Sequence, residues 1–94
     1  MVVGLATVRL RLPEAATLKD KRSLRSSVTA RVRNRFNVAV AEVGEHDARG
    51  SLTLGIACVS TDAGHAHAVL ETVVRSIARQ RLDADMIDYD IEML

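Results

Sequence analysis

Val2, Gly4, Ala6, Val8, Leu10 and Leu12 alternate with Val3, Leu5, Thr7, Arg9 and Arg11, a period of two that stops at Pro13, the chain's only proline. Such alternation predicts a strand with one face turned to a core. The period then lengthens. Leu24, Val28, Val32 and Phe36 recur at steps of four and form one apolar stripe on a helix over residues 18–36. Thr17, three positions before Asp20, gives that helix a capping-box start, in which a hydroxyl accepts from an orphan amide and a carboxylate reaches back. From Asn37 the run VAVAEV returns to a period of two, and this second strand ends in GEHDARGS, residues 44–51, a polar segment flanked by glycines that predicts a hairpin loop.

Leu52, Leu54, Ile56 and Cys58 alternate with Thr53, Gly55, Ala57 and Val59, a third strand. Thr61 or Asp62 caps a second helix whose stripe is Ala66, Val69, Leu70, Val73, Val74 and Ile77. Ile87, Tyr89, Ile91 and Met93 then alternate with Asp88, Asp90 and Glu92, a last strand with one apolar and one acidic face. The order β-α-β-β-α-β over residues 1–94 predicts a single α+β domain. Right-handed crossovers make it a ferredoxin-like sandwich, a four-stranded antiparallel sheet of order 4-1-3-2 with both helices on one face. The first and last strands are neighbours in that topology. Arg9 and Arg11 would share the outward face with Asp88, Asp90 and Glu92, and cross-strand pairing would absorb both arginines.

Composition narrows the setting. Aromatics are reduced to Phe36 and Tyr89, so aliphatic side chains must fill the interior. A lone cysteine, Cys58, within an alternating apolar run is expected to be a buried small hydrophobe, which suits a reducing compartment. No apolar run approaches the roughly 18 residues of a membrane span, and the start MVVGLATVRLRLP carries its arginines after its apolar residues, the reverse of a secretory signal. A soluble cytoplasmic protein is the expectation.

Net charge is only +1, yet residues 1–35 hold nine Lys/Arg against two acids and residues 36–94 hold four against ten. The basic share concentrates in TLKDKRSLRSSVTARVRNRF, residues 17–36. On a helical projection Lys19, Arg22, Ser26 and Arg33 lie nearly opposite the stripe, Arg25 falls at its border, and Arg31 and Arg35 flank it. A solvated helix face explains these residues in part. A merely soluble face, however, would usually carry acidic partners one turn away, and seven cations face one acid here. A phosphate-contacting surface for RNA or another polyanion therefore stands beside the solvated face, and an acidic protein surface is a third option. Readout by base stacking on the sheet is set aside, because the first and third strands have no aromatic residue.

Elsewhere Leu5 and Thr7 of the first strand, with Thr53, Gly55, Ala57 and Val59 of the third, form a small or apolar strip on the outer sheet face. Strips of this kind are often covered by a second subunit, a partner or a ligand, most simply by a two-fold dimer. His65 and His67 point about 200° apart on a helix and cannot share an ion, so no metal site is expected. The loop PEAAT between first strand and first helix lacks the arginine and glycine of an acylphosphatase cradle. No nucleophile and base arrangement stands out, so neither an enzyme nor a cofactor is expected.

With these elements in place, LKDKR at 18–22, RNRFNVAVAEV at 33–43 and VSTD followed by His65 closely resemble the small bacterial DUF503, or YlxP-like, family, from the first strand to the last. The resemblance implies a ferredoxin-like fold with no established activity. It also implies gene neighbourhoods shared with translation-initiation and ribosome-maturation factors, hence a role around RNA or the ribosome. The positions that match the family pattern and would carry that role are Lys19, Lys21, Arg22, Arg33 and Arg35, and the helical projection adds Arg25 to the expected nucleic-acid surface. One departure is the hairpin, where many relatives carry a tryptophan around the HD segment and this chain reads HDARGS.

Overall fold

The computed structural model describes every residue except Glu45, Asp47, Arg81 and Leu82. The hairpin-loop reading at Glu45 and Asp47 thus lies outside the described residues. Six elements follow in the expected order: β1 (Val2–Arg11), α1 (Leu18–Arg35), β2 (Ala39–Glu42), β3 (Ser51–Ser60), α2 (Ala63–Arg79) and β4 (Asp85–Met93). The sheet order is β2-β3-β1-β4, the predicted 4-1-3-2 seen from the other edge, and every neighbouring pair is antiparallel.

β1 and β3 form the spine and pair over their full length, from Val2 opposite Ser60 to Arg11 opposite Ser51. Their inward residues Ala6, Val8, Leu10, Leu52, Leu54, Ile56 and Cys58 are buried beneath Val28 and Val32 of α1 and Ala66, Leu70, Val73, Val74 and Ile77 of α2. The predicted stripe of α2 is thus the core-facing stripe. Asp62, whose carboxylate accepts from the His65 N–H at 2.8 Å, caps that helix. β2 begins two residues after the alternation resumes, because Phe36 still donates its N–H to the Val32 carbonyl and the chain needs Asn37 and Val38 to leave the helix.

Two features of the last strand differ from expectation. The register against β1 slips between Arg9, opposite Asp88, and Leu10, opposite Met86, so Ile87 is an extra, bulged residue. Met86 therefore takes the inward position in place of Ile87, which is exposed, while Ile91 and Met93 pack against the core. Tyr89, opposite the buried Val8, keeps the helix-side face at the sheet edge, with its hydroxyl 3.5 Å from Glu71 Oε2 of α2. Across the same strands Arg9 pairs with Asp88 at 2.9 Å and more distantly with Asp90 at 3.8 Å. The hydrogen bond and charge of Asp88 raise its pKa above the ordinary arginine value. Arg11 lies opposite Asp85 but makes no ion pair among the described residues, so only one of the two arginines is absorbed. Among the described residues no helix is long and apolar enough to cross a membrane.

Leu70 is fully buried, so Leu70→Ala should lower the unfolding free energy by about 2–5 kcal/mol in a urea titration, by lost transfer energy plus the cavity left behind. Ile87→Thr, at the bulge, should stay within about 0.5 kcal/mol; a core-sized loss there would contradict the slipped register.

Candidate nucleic-acid interface

The first turn of α1 is set by its cap. The Thr17 hydroxyl accepts from the Asp20 N–H at 3.1 Å, and the Asp20 carboxylate accepts from the Thr17 N–H at 2.9 Å. Those hydrogen bonds hold the Asp20 carboxyl below its ordinary pKa. With the first turn fixed, Lys21 stands seven residues before the buried Val28, close to two full turns, and so shares its inward face. Lys21 is 2% exposed. Its ammonium donates to the carbonyls of Ala48 at 2.7 Å and His46 at 3.2 Å and lies 3.1 Å from Glu42 Oε2.

Glu42 comes from the same logic on a strand. Two residues beyond the buried Val40, it points inward from β2, and its side chain is only 5% exposed. Oε1 accepts from Arg25 at 3.3 Å and lies 3.2 Å from His46 Nδ1. Oε2 receives the Lys21 charge at contact distance but no well-directed hydrogen bond among the described residues. Burial pushes the Glu42 carboxyl up, and Lys21, His46 and Arg25 together more than reverse it, leaving the pKa below the ordinary 4.5.

This cluster corrects the expected nucleic-acid surface. Lys21 is an interior cation that holds a carboxylate and two loop carbonyls, and is not available to a phosphate. Arg25, half-buried, serves the same carboxylate. The acidic partner missing along the helix comes instead from an adjacent strand. Lys19 and Arg22 remain exposed and form no ion pair among the described residues. Arg33, also exposed, donates to the Val40 carbonyl at 2.8 Å and ties the end of α1 to β2. Arg35 reaches Ser76 Oγ at 3.3 Å, with its guanidinium 5.4 Å from the Phe36 ring centroid.

That last contact crosses to α2, as does Arg31, which lies 3.5 Å from Gln80 Oε1. Residue 31 meeting 80 and 35 meeting 76 shows the two helices running antiparallel over their C-terminal halves. Between them lies a groove of about 480 Å³ lined by Arg31, Asn34, Arg35, Thr72, Arg75, Ser76, Arg79 and Gln80, with no acidic residue. Arg75 and Arg79 were invisible as site residues in the sequence because they sit in the acidic half of the chain. Their signal was a step of four on the side of α2 away from its apolar stripe.

On the outer sheet face, Leu5, Thr7, Gly55 and Ala57 line a shallow trough of about 390 Å³ together with Ala39, Ala41 and Val43 of β2 and its flank. Thr53 lies beyond this trough, half-buried, and Val59 is 64% exposed. Val43, 57% exposed, leans over Gly55, where a Cβ would sit 2.8 Å from Val43 Cγ1. Among the described residues no three His, Cys, Asp or Glu side chains gather as metal ligands.

Residues 3–91 match the family described as "Protein of unknown function (DUF503)". A curated relative, "Uncharacterized protein YlxP" of Bacillus subtilis (strain 168), is 32% identical over 76 residues, covering 81% of this chain and 83% of that protein. Among solved structures, "De novo designed protein Foldit4" superposes with a TM-score of 0.54 over 98% of this chain and 96% of its own, at 14% identity, a likeness of fold alone.

Glu42→Gln keeps the shape and removes the charge, and should cost about 2–4 kcal/mol at neutral pH by stranding the buried Lys21 ammonium. Because the folded carboxyl titrates below 4.5, its contribution is complete above that value and disappears as pH falls through the folded pKa. The stability gap between wild type and Glu42→Gln, measured by urea unfolding, should therefore close as pH falls below the ordinary carboxyl value of 4.5, whereas a constant gap would trace the loss to packing.

Proposed function

Because the chain belongs to the DUF503 family, whose description names no activity, its own surface has to supply the reading, and we propose that it is a non-catalytic cytoplasmic accessory protein that binds RNA, free or on a ribosomal surface, through its helical layer. The observation that carries this is the set of exposed cations on α1, Lys19, Arg22, Arg31, Arg33 and Arg35, none of which pairs with a carboxylate among the described residues. Exposed, unneutralised cations on one layer attract phosphates and gain from the counterions they release. The sheet offers no aromatic platform on β1 or β3, so contacts to backbone and shape, with little sequence preference, fit the surface best. The family resemblance, with its translation-related gene neighbourhoods, agrees with that partner.

A second reading is favoured by the apolar trough on the opposite face. Val43 and Val59, both more than half exposed, together with the shallow hollow at Gly55 and Ala57, suit the contact of a two-fold dimer, which would bury them.

A labelled structured RNA titrated with the protein should bind with an affinity that falls roughly a hundredfold between about 50 and 200 mM salt, as expected for about four phosphate contacts. Binding that ignores salt, or no binding at low salt, would end the RNA reading. Light scattering tests the second face: a dimer has twice the 10.2 kDa chain mass, and Ala57→Glu should return it to monomer.

A further inference from the structure

We infer that the phosphate contacts are made in the groove between α1 and α2, where Arg31 and Arg35 of one helix face Arg75 and Arg79 of the other, and that an RNA phosphodiester backbone lies along it. This rests on the RNA reading above and moves its centre from the outer side of α1 to a groove that both helices build.

Four arginines line one groove of about 480 Å³ without an acidic residue among the lining side chains. On each helix the two stand four residues apart, a rise of about 6 Å, so the walls carry two short rows of charge on either side of an open channel. Arg31 and Arg35 are held by neutral partners, Gln80 Oε1 and Ser76 Oγ. These contacts orient the guanidinium groups, leave their charge uncancelled and occupy one of the five donors on each. All four cations are arginine, the side chain whose planar fork meets phosphate oxygens in pairs. Asn34 adds a neutral amide donor to the same walls, while the Thr72 hydroxyl is given to the Ala68 carbonyl at 2.9 Å.

Helix electrostatics explain only part of the arrangement. Cations in the last turn complement the helix C-terminus, which accounts for Arg35 and Arg79. Arg31 and Arg75 lie a turn earlier, where that benefit has faded. Glu71 stands one turn before Arg75, and Arg31 also borders a hollow lined by Asp20 and Asp83, yet neither arginine forms an ion pair among the described residues, so the repulsion within the groove is only partly relieved. An external polyanion removes the repulsion. A groove open to solvent and walled by two rows suits a chain of phosphates better than a single enclosed anion.

The test compares two double variants in anisotropy titrations of a labelled structured RNA, with folding checked by circular dichroism. Arg31→Gln/Arg75→Gln should weaken binding at least about tenfold and reduce the magnitude of the salt slope by about two, a larger loss than Lys19→Gln/Arg22→Gln gives, while Arg49→Gln, exposed and outside both helices, should change affinity less than about threefold. If the groove double variant fails to fold, Arg79→Gln, at an exposed position, should still give a loss of severalfold. Loss confined to Lys19→Gln/Arg22→Gln would overturn the groove and leave the RNA reading standing. Absence of salt-dependent binding by wild type would overturn both. Displacement of RNA by micromolar tripolyphosphate, with affinity independent of RNA length, would replace the phosphodiester backbone by a small polyphosphate.

Discussion

Glu42 is the constraint on which the placement of α1 depends. Only Val28 and Val32 of that helix are fully buried apolar residues, with Leu24 and Phe36 half-buried beside them, and the inward face also carries Lys21 and Thr29. So narrow an apolar contact leaves the rotation of a helix weakly specified, since many aliphatic pairs can be exchanged at little cost. A carboxylate 5% exposed, with Lys21 and Arg25 reaching it from successive turns, tolerates far less rotation: turning the helix would leave the charge in a poorly solvated site without its cations. The same ammonium binds the carbonyls of His46 and Ala48, so one interior cation joins α1, β2 and the loop that follows β2. Thr29 meets its own burial internally by donating its hydroxyl to the Arg25 carbonyl at 2.8 Å.

That cluster also sorts the surface. By taking Lys21 and Arg25 inward it removes positive charge from the N-terminal half of α1, and the cations left over extend to the C-terminal half, where α2 adds Arg75 and Arg79. On the far side, β4 presents Asp88, Asp90 and Glu92 in register with Arg9, Thr7 and Leu5, and Arg9 cancels part of that acid. The imbalance between the two halves of the chain thus becomes an imbalance between two faces of the sandwich, with the helical layer positive and one edge of the outer sheet negative. A fixed separation of charge of this kind orients an approaching polyanion before contact.

Periodicity carried the fold. The switches at Pro13, Asn37 and Asp62, and the capping box at Thr17, locate every element, because alternation and steps of four reflect which side of a strand or helix is dry. The bulge at Ile87 was not legible, since one inserted residue preserves the look of an alternating strand while changing which residues face inward. Lys21 and Glu42 were legible in principle, at seven residues from Val28 and two from Val40. They escaped because a lone charge at a core position reads as solvated until its partner is known, and the partner lies on another element. The groove needed the packing of two helices whose arginines are forty or more positions apart, a proximity that no local pattern encodes.

The two exposed surfaces do not compete for space. The trough at Gly55 and Ala57 and the arginine groove lie on opposite faces of the sheet, so a two-fold contact through the trough would leave both grooves open. Two grooves on one particle would raise the apparent affinity for a long RNA through effective concentration, without any new contact, provided the RNA can span them.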